Sequence, residues 1–171
     1  AILMGKDQLG VALMLRHWNG YKAPRELMRH FASALSEGLK VFGIEAQFRG
    51  KNDLEVEGRK IGGLGIHSNA SGGYLLHCSL LVDLDVPLML RALNVPIEKL
   101  ESRQLQSIEG RITTVRRELK NDTSLEEVRN TMRRAFSSYF SAEFEQSLYS
   151  TEEKKAISEM EQSRYLKRDW I

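Results

Sequence analysis

Only one cysteine, three prolines and two tryptophans occur among the 171 residues of this chain. The lone cysteine, Cys78, excludes an intrachain disulfide and fits a reducing compartment. With so little proline and no low-complexity tract or internal repeat, nothing marks a linker, and the length suits one domain. Apolar runs are a few residues long, far short of the ~20 that cross a bilayer, and no charged leader precedes an apolar stretch. Neither a membrane span nor a signal peptide is therefore expected, and the expected location is cytoplasmic, or mitochondrial for a eukaryotic source. Charge of one sign is lacking as well. The 25 basic and 23 acidic residues leave a formal net charge of +2, with no basic run long enough to follow a phosphate backbone. Nucleic acid is not an expected partner. The 42% hydrophobic and 28% charged content is ordinary for a globular domain.

The apolar residues that are present fall into clear periods. After Pro24, Leu27, Met28, Phe31, Leu35 and Leu39 recur at three and four residues up to Gly43, which predicts an amphipathic helix. Val11 to Leu15 reads as a buried strand, residues 44–48 as a strand, and residues 74–83 as another. Asp85 and Pro87 start a short helix through Leu93, ended near Asn94 and Pro96. Residues 107–115 read as extended. Thr123 and Ser124 with Glu126 and Glu127 give overlapping capping boxes for a helix whose stripe is Leu125, Val128, Met132, Phe136 and Tyr139. Residues 142–149 read as a strand, and Ser150 with Glu153 opens a last helix with Ile157 and Met160 facing inward and Trp170 anchoring its end. Such interleaving predicts an α+β fold with helices packed on a mixed or antiparallel sheet.

The most informative stretch runs Arg49-Gly50-Lys51-Asn52-Asp53-Leu54-Glu55-Val56-Glu57-Gly58-Arg59-Lys60-Ile61-Gly62-Gly63. Leu54 and Val56 alternate with charged residues and Gly58 supplies a turn, so the segment reads as a hairpin with a two-residue turn. Putting Leu54, Val56 and Ile61 on the buried face sends Asp53, Glu55 and Lys60 to the other. Lys60 then projects among carboxylates beside Gly62, Gly63 and Gly65, where backbone can approach a phosphate. On the residues alone, such a face is either ligand-facing or merely solvated.

Continued through Gly73-Tyr74-Leu75-Leu76-His77-Cys78-Ser79-Leu80-Leu81-Val82-Asp83-Leu84-Asp85, these residues resemble lipoate-protein ligase A, of the biotin and lipoate ligase superfamily. That family's Arg-Asn-Asp-Leu, turn, Arg-Lys-hydrophobic-small-Gly, and His-Gly-Thr-Leu-Leu strand ending in Asp-hydrophobic-Asp match residues 49–85 in spacing. Ser107 to Val115 is similar to its Ser-Val-Arg-Ser-Arg-Val-Thr-Asn-Leu segment, and Arg164 to Trp170 to its closing Lys-Tyr-x-Ser-x-Glu-Trp. The resemblance implies a class II aminoacyl-tRNA-synthetase-like catalytic domain over residues 1–171 that activates lipoate with ATP to lipoyl-AMP. The lipoyl group then passes to a lysine on a carrier domain, of a 2-oxoacid dehydrogenase E2 subunit or the glycine cleavage H protein.

Acyl activation brings a carboxylate and a triphosphate together, so a fixed cation is needed at the reacting centre. By resemblance Lys60 is that catalytic cation; Asp53 either lies near the phosphates and Mg²⁺ or caps backbone beside the turn, Asn52 either binds a phosphate or fixes the hairpin, and Ala1, Ile2, Leu3, Gly62 and Gly63 line the nucleotide and lipoate site. Ala1, Ile2 and Leu3 resemble the family's Ala-Val-Phe, which follows an Arg-Arg-x-Ser/Thr-Gly-Gly-Gly motif not found in this sequence. The expectation is a domain whose N-terminal part is missing, completed by a separate N-terminal segment or accessory subunit. His77 reads as a satisfied core histidine, and Cys78, at the family's Gly position, as a small buried hydrophobe. Phe48-Arg49-Gly50 stands where the related octanoyl and lipoyl amidotransferases carry a cysteine nucleophile, which favours the ATP-dependent ligase. Alternatives are such a transferase, a biotin-type ligase, whose motif opens Lys-Trp-Pro, and a non-catalytic or partner-dependent subunit of a split ligase.

Overall fold

A computed structural model describes residues 5–16, 23–92, 107 and 110–167. Its strands are β1 (Gln8–Arg16), β2 (Gln47–Arg49), β3 (Asp53–Val56), β4 (Arg59–Ser68) and β5 (Gly73–Leu81), joined in one antiparallel sheet of order β1-β5-β4-β3-β2. The helices are α1 (Pro24–Lys40), α2 (Val86–Ala92), α3 (Val115–Leu119), α4 (Leu125–Phe140) and α5 (Thr151–Met160), the last running on into a π-helical turn, Glu161–Tyr165. This is the α+β arrangement expected from the sequence.

Helix α1 starts on Pro24, whose missing N–H falls where a first turn needs none, and it buries Leu27, Phe31, Leu35 and Leu39. Ser124 caps α4 by accepting the Glu127 N–H, and Val128, Met132 and Phe136 face inward. The two helices meet where Phe31 and Phe136 pack edge to face, ring centroids 5.5 Å apart. Beneath them lies one face of the sheet, built from Leu9, Leu54, Ile61, Leu64, Leu76, Cys78 and Leu80. Arg116 fastens the sheet's rim: its Nη1 lies 3.4 Å from Asp7 Oδ1 and 3.1 Å from Asp83 Oδ2, and its Nε donates to the Thr123 carbonyl. Helix α2 opens with the Leu88 N–H donating to Asp85 Oδ1. Asn94, Pro96 and Trp170 lie outside the described residues.

Several expectations need correction. Strand β1 forms over Val11 to Leu15, but it alternates instead of being buried throughout: Val11, Leu13 and Leu15 are half-buried while Met14 is 78% exposed. Only one face of this sheet carries the packed helices. Residues 142–149 form no strand: among the described residues no strand pairs with them, and Leu148 is 87% exposed. Helix α5 has the capping box of Ser150 and Glu153, yet buries nothing; Ile157 and Met160 both face solvent. A cap defines where a helix begins, not what covers it. Among the described residues of 107–115 the strand pairing is one parallel bridge between Ile112 and Lys60, and Thr114 already caps α3. No described helix is long and apolar enough to cross a membrane.

Phe136→Ala should cost about 3–5 kcal/mol in urea unfolding, because it empties the α1–α4 seam. The pair Ile157→Ser and Met160→Ser should stay within about 0.5 kcal/mol of the parent, as neither side chain touches the core.

Candidate active site

The hairpin of β3 and β4 turns through Glu57 (φ 50°) and Gly58 (φ 76°), both left-handed, as a two-residue turn between paired strands requires. Glu55 pairs with Lys60 but Leu54 pairs with Gly62, so one extra residue, Ile61, is inserted in β4 as a bulge. The bulge has a geometric effect. Residues three apart in a regular strand point to opposite faces, yet a β-carbon on Gly63 would lie 3.5 Å from the Cε and Nζ of Lys60. The side chain of Lys60 thus lies over Gly63 and reaches Asp53, the residue paired with Gly63.

There the Lys60 Nζ stands 2.6 Å from Asp53 Oδ1. That oxygen is shielded from solvent and no donor meets it with the angles of a hydrogen bond, so the contact is Coulombic and leaves its lone pairs poorly used. The two side chains are 42% and 35% exposed, and ion pairs of such exposure contribute about 1 kcal/mol or less. Stability does not account for the pair. Leu54, Val56 and Ile61 point the other way, into the core, as their alternation required. Arg49 pairs with Asp53 from β2 and extends the same charged face.

Not every expected residue joins this face. Asn52 is exposed in the β2–β3 turn, where its carbonyl accepts the Leu64 N–H at 2.7 Å. Gly62 faces the core, its absent β-carbon 3.3 Å from Cys78 Sγ, whereas Gly63 faces Lys60. Ala1, Ile2 and Leu3 lie outside the described residues. Gly65 is not bare backbone: a β-carbon there would sit 2.2 Å from His77 Nε2, so the imidazole lies on it. His77 is therefore not a core histidine. It shares the Lys60 face, and the signal was in β5 itself, because burying Leu76, Cys78 and Leu80 sends His77 and Ser79 outward. Ser79 Oγ donates to Gln8 Oε1 on β1. Neither the ~410 Å³ cavity by Asp83, Thr114 and Arg116 nor the ~320 Å³ groove between β1 and α4 is lined by Lys60. Among the described residues, no helix packs on its face of the sheet.

Cys78 is buried in the core, and burial pushes its thiol up to about 12, against the opposing pull of the Lys60 charge. A thiol so held stays protonated and does not act as a nucleophile at neutral pH.

The face thus brings a lysine, a carboxylate and close backbone together on one side of the sheet. The chain belongs to the lipoyl protein ligase A/B catalytic domain family, whose model matches residues 1–137. It is 33% identical over 103 residues to a probable lipoate-protein ligase A of Mycoplasma pneumoniae, covering 58% of this chain and 30% of that one. It is also 29% identical over 118 residues to the octanoyltransferase LipM of Brevibacillus brevis, covering 69% and 42%. The matched regions are less than half the length of these relatives. In fold it resembles the bipartite lipoate protein ligase of Thermoplasma acidophilum, with a TM-score of 0.75, 23% identity and coverage of 95% and 62%. A lipoate-protein ligase A bound with ATP is similar too, with a TM-score of 0.77, 20% identity and coverage of 96% and 64%.

Iodoacetamide at about pH 8 should leave Cys78 of the folded protein unmodified and label it at once in denaturant. The proton linkage has a definite sign: with the folded thiol near 12 and an ordinary value of 9.0, only the unfolded chain releases the proton in between, so stability should fall as pH rises from 9 towards 12.

Proposed function

We propose that the protein containing this chain is an ATP-dependent lipoate-protein ligase, and the observation that carries the reading is the Lys60–Asp53 pair over Gly63 on the open face. In the first half-reaction the lipoate carboxylate attacks the α-phosphorus of ATP, the bond to the β-phosphate oxygen breaks, and pyrophosphate leaves. In the second, the amine of an acceptor lysine attacks the acyl carbonyl of lipoyl-AMP, an amide forms, and AMP leaves. Both steps move negative charge at one place. An ammonium on a backbone held by pairing on both sides stabilises it, first at the α-phosphate and then at the acyl oxygen. Glycine at 63 keeps the surface beside the ammonium low enough for a phosphate to lie against backbone.

Asp53 fits a Mg²⁺ site, because it offers a carboxylate oxygen without an aligned donor, and Mg²⁺ binds through one or two carboxylates together with substrate phosphates and water. Bound there, the ion would neutralise phosphate charge. The thiol-dependent transfer known from the octanoyltransferase relative is disfavoured by the state of Cys78, the only cysteine in the chain. The acceptor on this reading is a lipoyl carrier domain. A second, compatible reading is that this catalytic domain works together with another polypeptide. It is favoured by the residues from Glu143 to Lys167, all exposed, among them Leu148, Tyr149 and Leu166.

Incubation with lipoate, ATP, Mg²⁺ and an apo lipoyl domain should add the lipoyl mass to one lysine of the acceptor. Equal modification without ATP would favour a transferase. Lys60→Ala should lower adenylate formation at least about a hundredfold with the fold intact, and Lys60→Arg should not restore it, since a planar guanidinium cannot take the place of a compact charge. An alanine variant within a few-fold of wild type would remove Lys60 from the chemistry.

A further inference from the structure

Lys60 is paired on both sides, but not by two regular strands. On one side stands Glu55 of β3; on the other, β5 has already stopped, since its last partners with β4 are Leu80 and Gly62. The segment before α3 enters that gap. The Lys60 N–H donates to the Arg111 carbonyl and the Thr113 N–H donates to the Lys60 carbonyl, each at 2.9 Å. These two bonds fall at the bulge, where regular pairing is interrupted and the backbone is least fixed by the sheet.

The segment is itself held by a chain of polar contacts that returns to the hairpin. Thr113 is fully buried, and its hydroxyl donates to Glu118 Oε1 on α3. Glu118 also receives the guanidinium of Arg59 as a fork, Nη1 to Oε1 at 3.1 Å and Nη2 to Oε2 at 3.3 Å, with the Glu118 side chain only 16% exposed. Arg59 Nη2 reaches Glu57 Oε2 in the turn at 3.2 Å as well. Arg59 directly precedes Lys60. The circuit therefore closes: Lys60 carbonyl, Thr113, Glu118, the Arg59 side chain, and the peptide bond back to Lys60.

We infer that Glu118 and Arg59 are positioning residues for Lys60, which they serve by clamping residues 111–113 against its backbone at the bulge; this rests on the proposed ligase function. A bidentate pair of low exposure constrains both partners in direction as well as distance. Loss of Glu118 frees the Thr113 hydroxyl and the Arg59 fork together, and the Lys60 ammonium spreads over positions that do not bridge acyl and phosphate oxygens.

The test measures amide hydrogen exchange by NMR together with the single-turnover formation of lipoyl-AMP from lipoate, ATP and Mg²⁺. In Glu118→Ala, the Lys60 and Thr113 amides should exchange faster while the Leu64 and Val82 amides keep their protection. The turnover rate should fall about tenfold to a hundredfold with the KM for ATP changed less than about threefold. Glu118→Gln, which keeps an oxygen to accept from Thr113 and Arg59 Nη1, should recover most of both; Arg59→Ala, which removes the fork from the other side, should repeat the Glu118→Ala pattern and carries the test should that variant fail to fold. Unchanged exchange at Lys60 would overturn the clamp, and faster exchange with an unchanged turnover rate would overturn its positioning role. A wild type that makes no lipoyl-AMP would instead sink the proposed function, and the positioning role with it, while the exchange data report separately on whether the clamp exists.

Discussion

The place of Gly63 beside the Lys60–Asp53 contact depends on one inserted residue. Without the bulge at Ile61, the parity of β4 would carry Gly63 to the core face and set Gly62 beside the lysine instead. The insertion lets Ile61 and Gly62 both turn inward, under Leu54, while Lys60 and Gly63 share the open face. The rest of the fold supports this local irregularity. Helices α1 and α4 cover the far side of the sheet, and no described helix packs on the face with the charges.

The chain belongs to the lipoyl protein ligase A/B family, and the relatives it is similar to include both a probable lipoate-protein ligase and an octanoyltransferase. What separates the two chemistries physically is where the nucleophile or the cation resides. In this chain the thiol is sunk in the core with its proton held, and the ammonium is on the surface beside a carboxylate. That arrangement is what the proposed ligase reading uses, charge stabilisation by the ammonium rather than thiolate attack.

Much of this was legible in the sequence because it rested on short-range rules. The period of Leu27, Phe31, Leu35 and Leu39 fixed a helix and its buried side, and alternation across Leu54, Val56 and Ile61 placed Lys60 and Asp53 together before any coordinates. The failures came where partners, not patterns, decide. Residues 142–149 alternate well enough but meet no described strand, and Ile157 and Met160 form a stripe left about half exposed. His77 was misplaced because a run of apolar neighbours hid the period of two that β5 obeys. The Arg59–Glu118–Thr113 circuit spans residues far apart in the chain, and no local signal announces it.

The most direct measurement is a crystal structure with a non-hydrolysable lipoyl-adenylate, the sulfamoyl analogue of lipoyl-AMP. The account predicts the analogue on the open face, with Lys60 Nζ within hydrogen-bond distance of both the acyl oxygen and a sulfamoyl oxygen and with Gly63 backbone beside it. An analogue bound elsewhere, with Lys60 still directed only at Asp53, would contradict it.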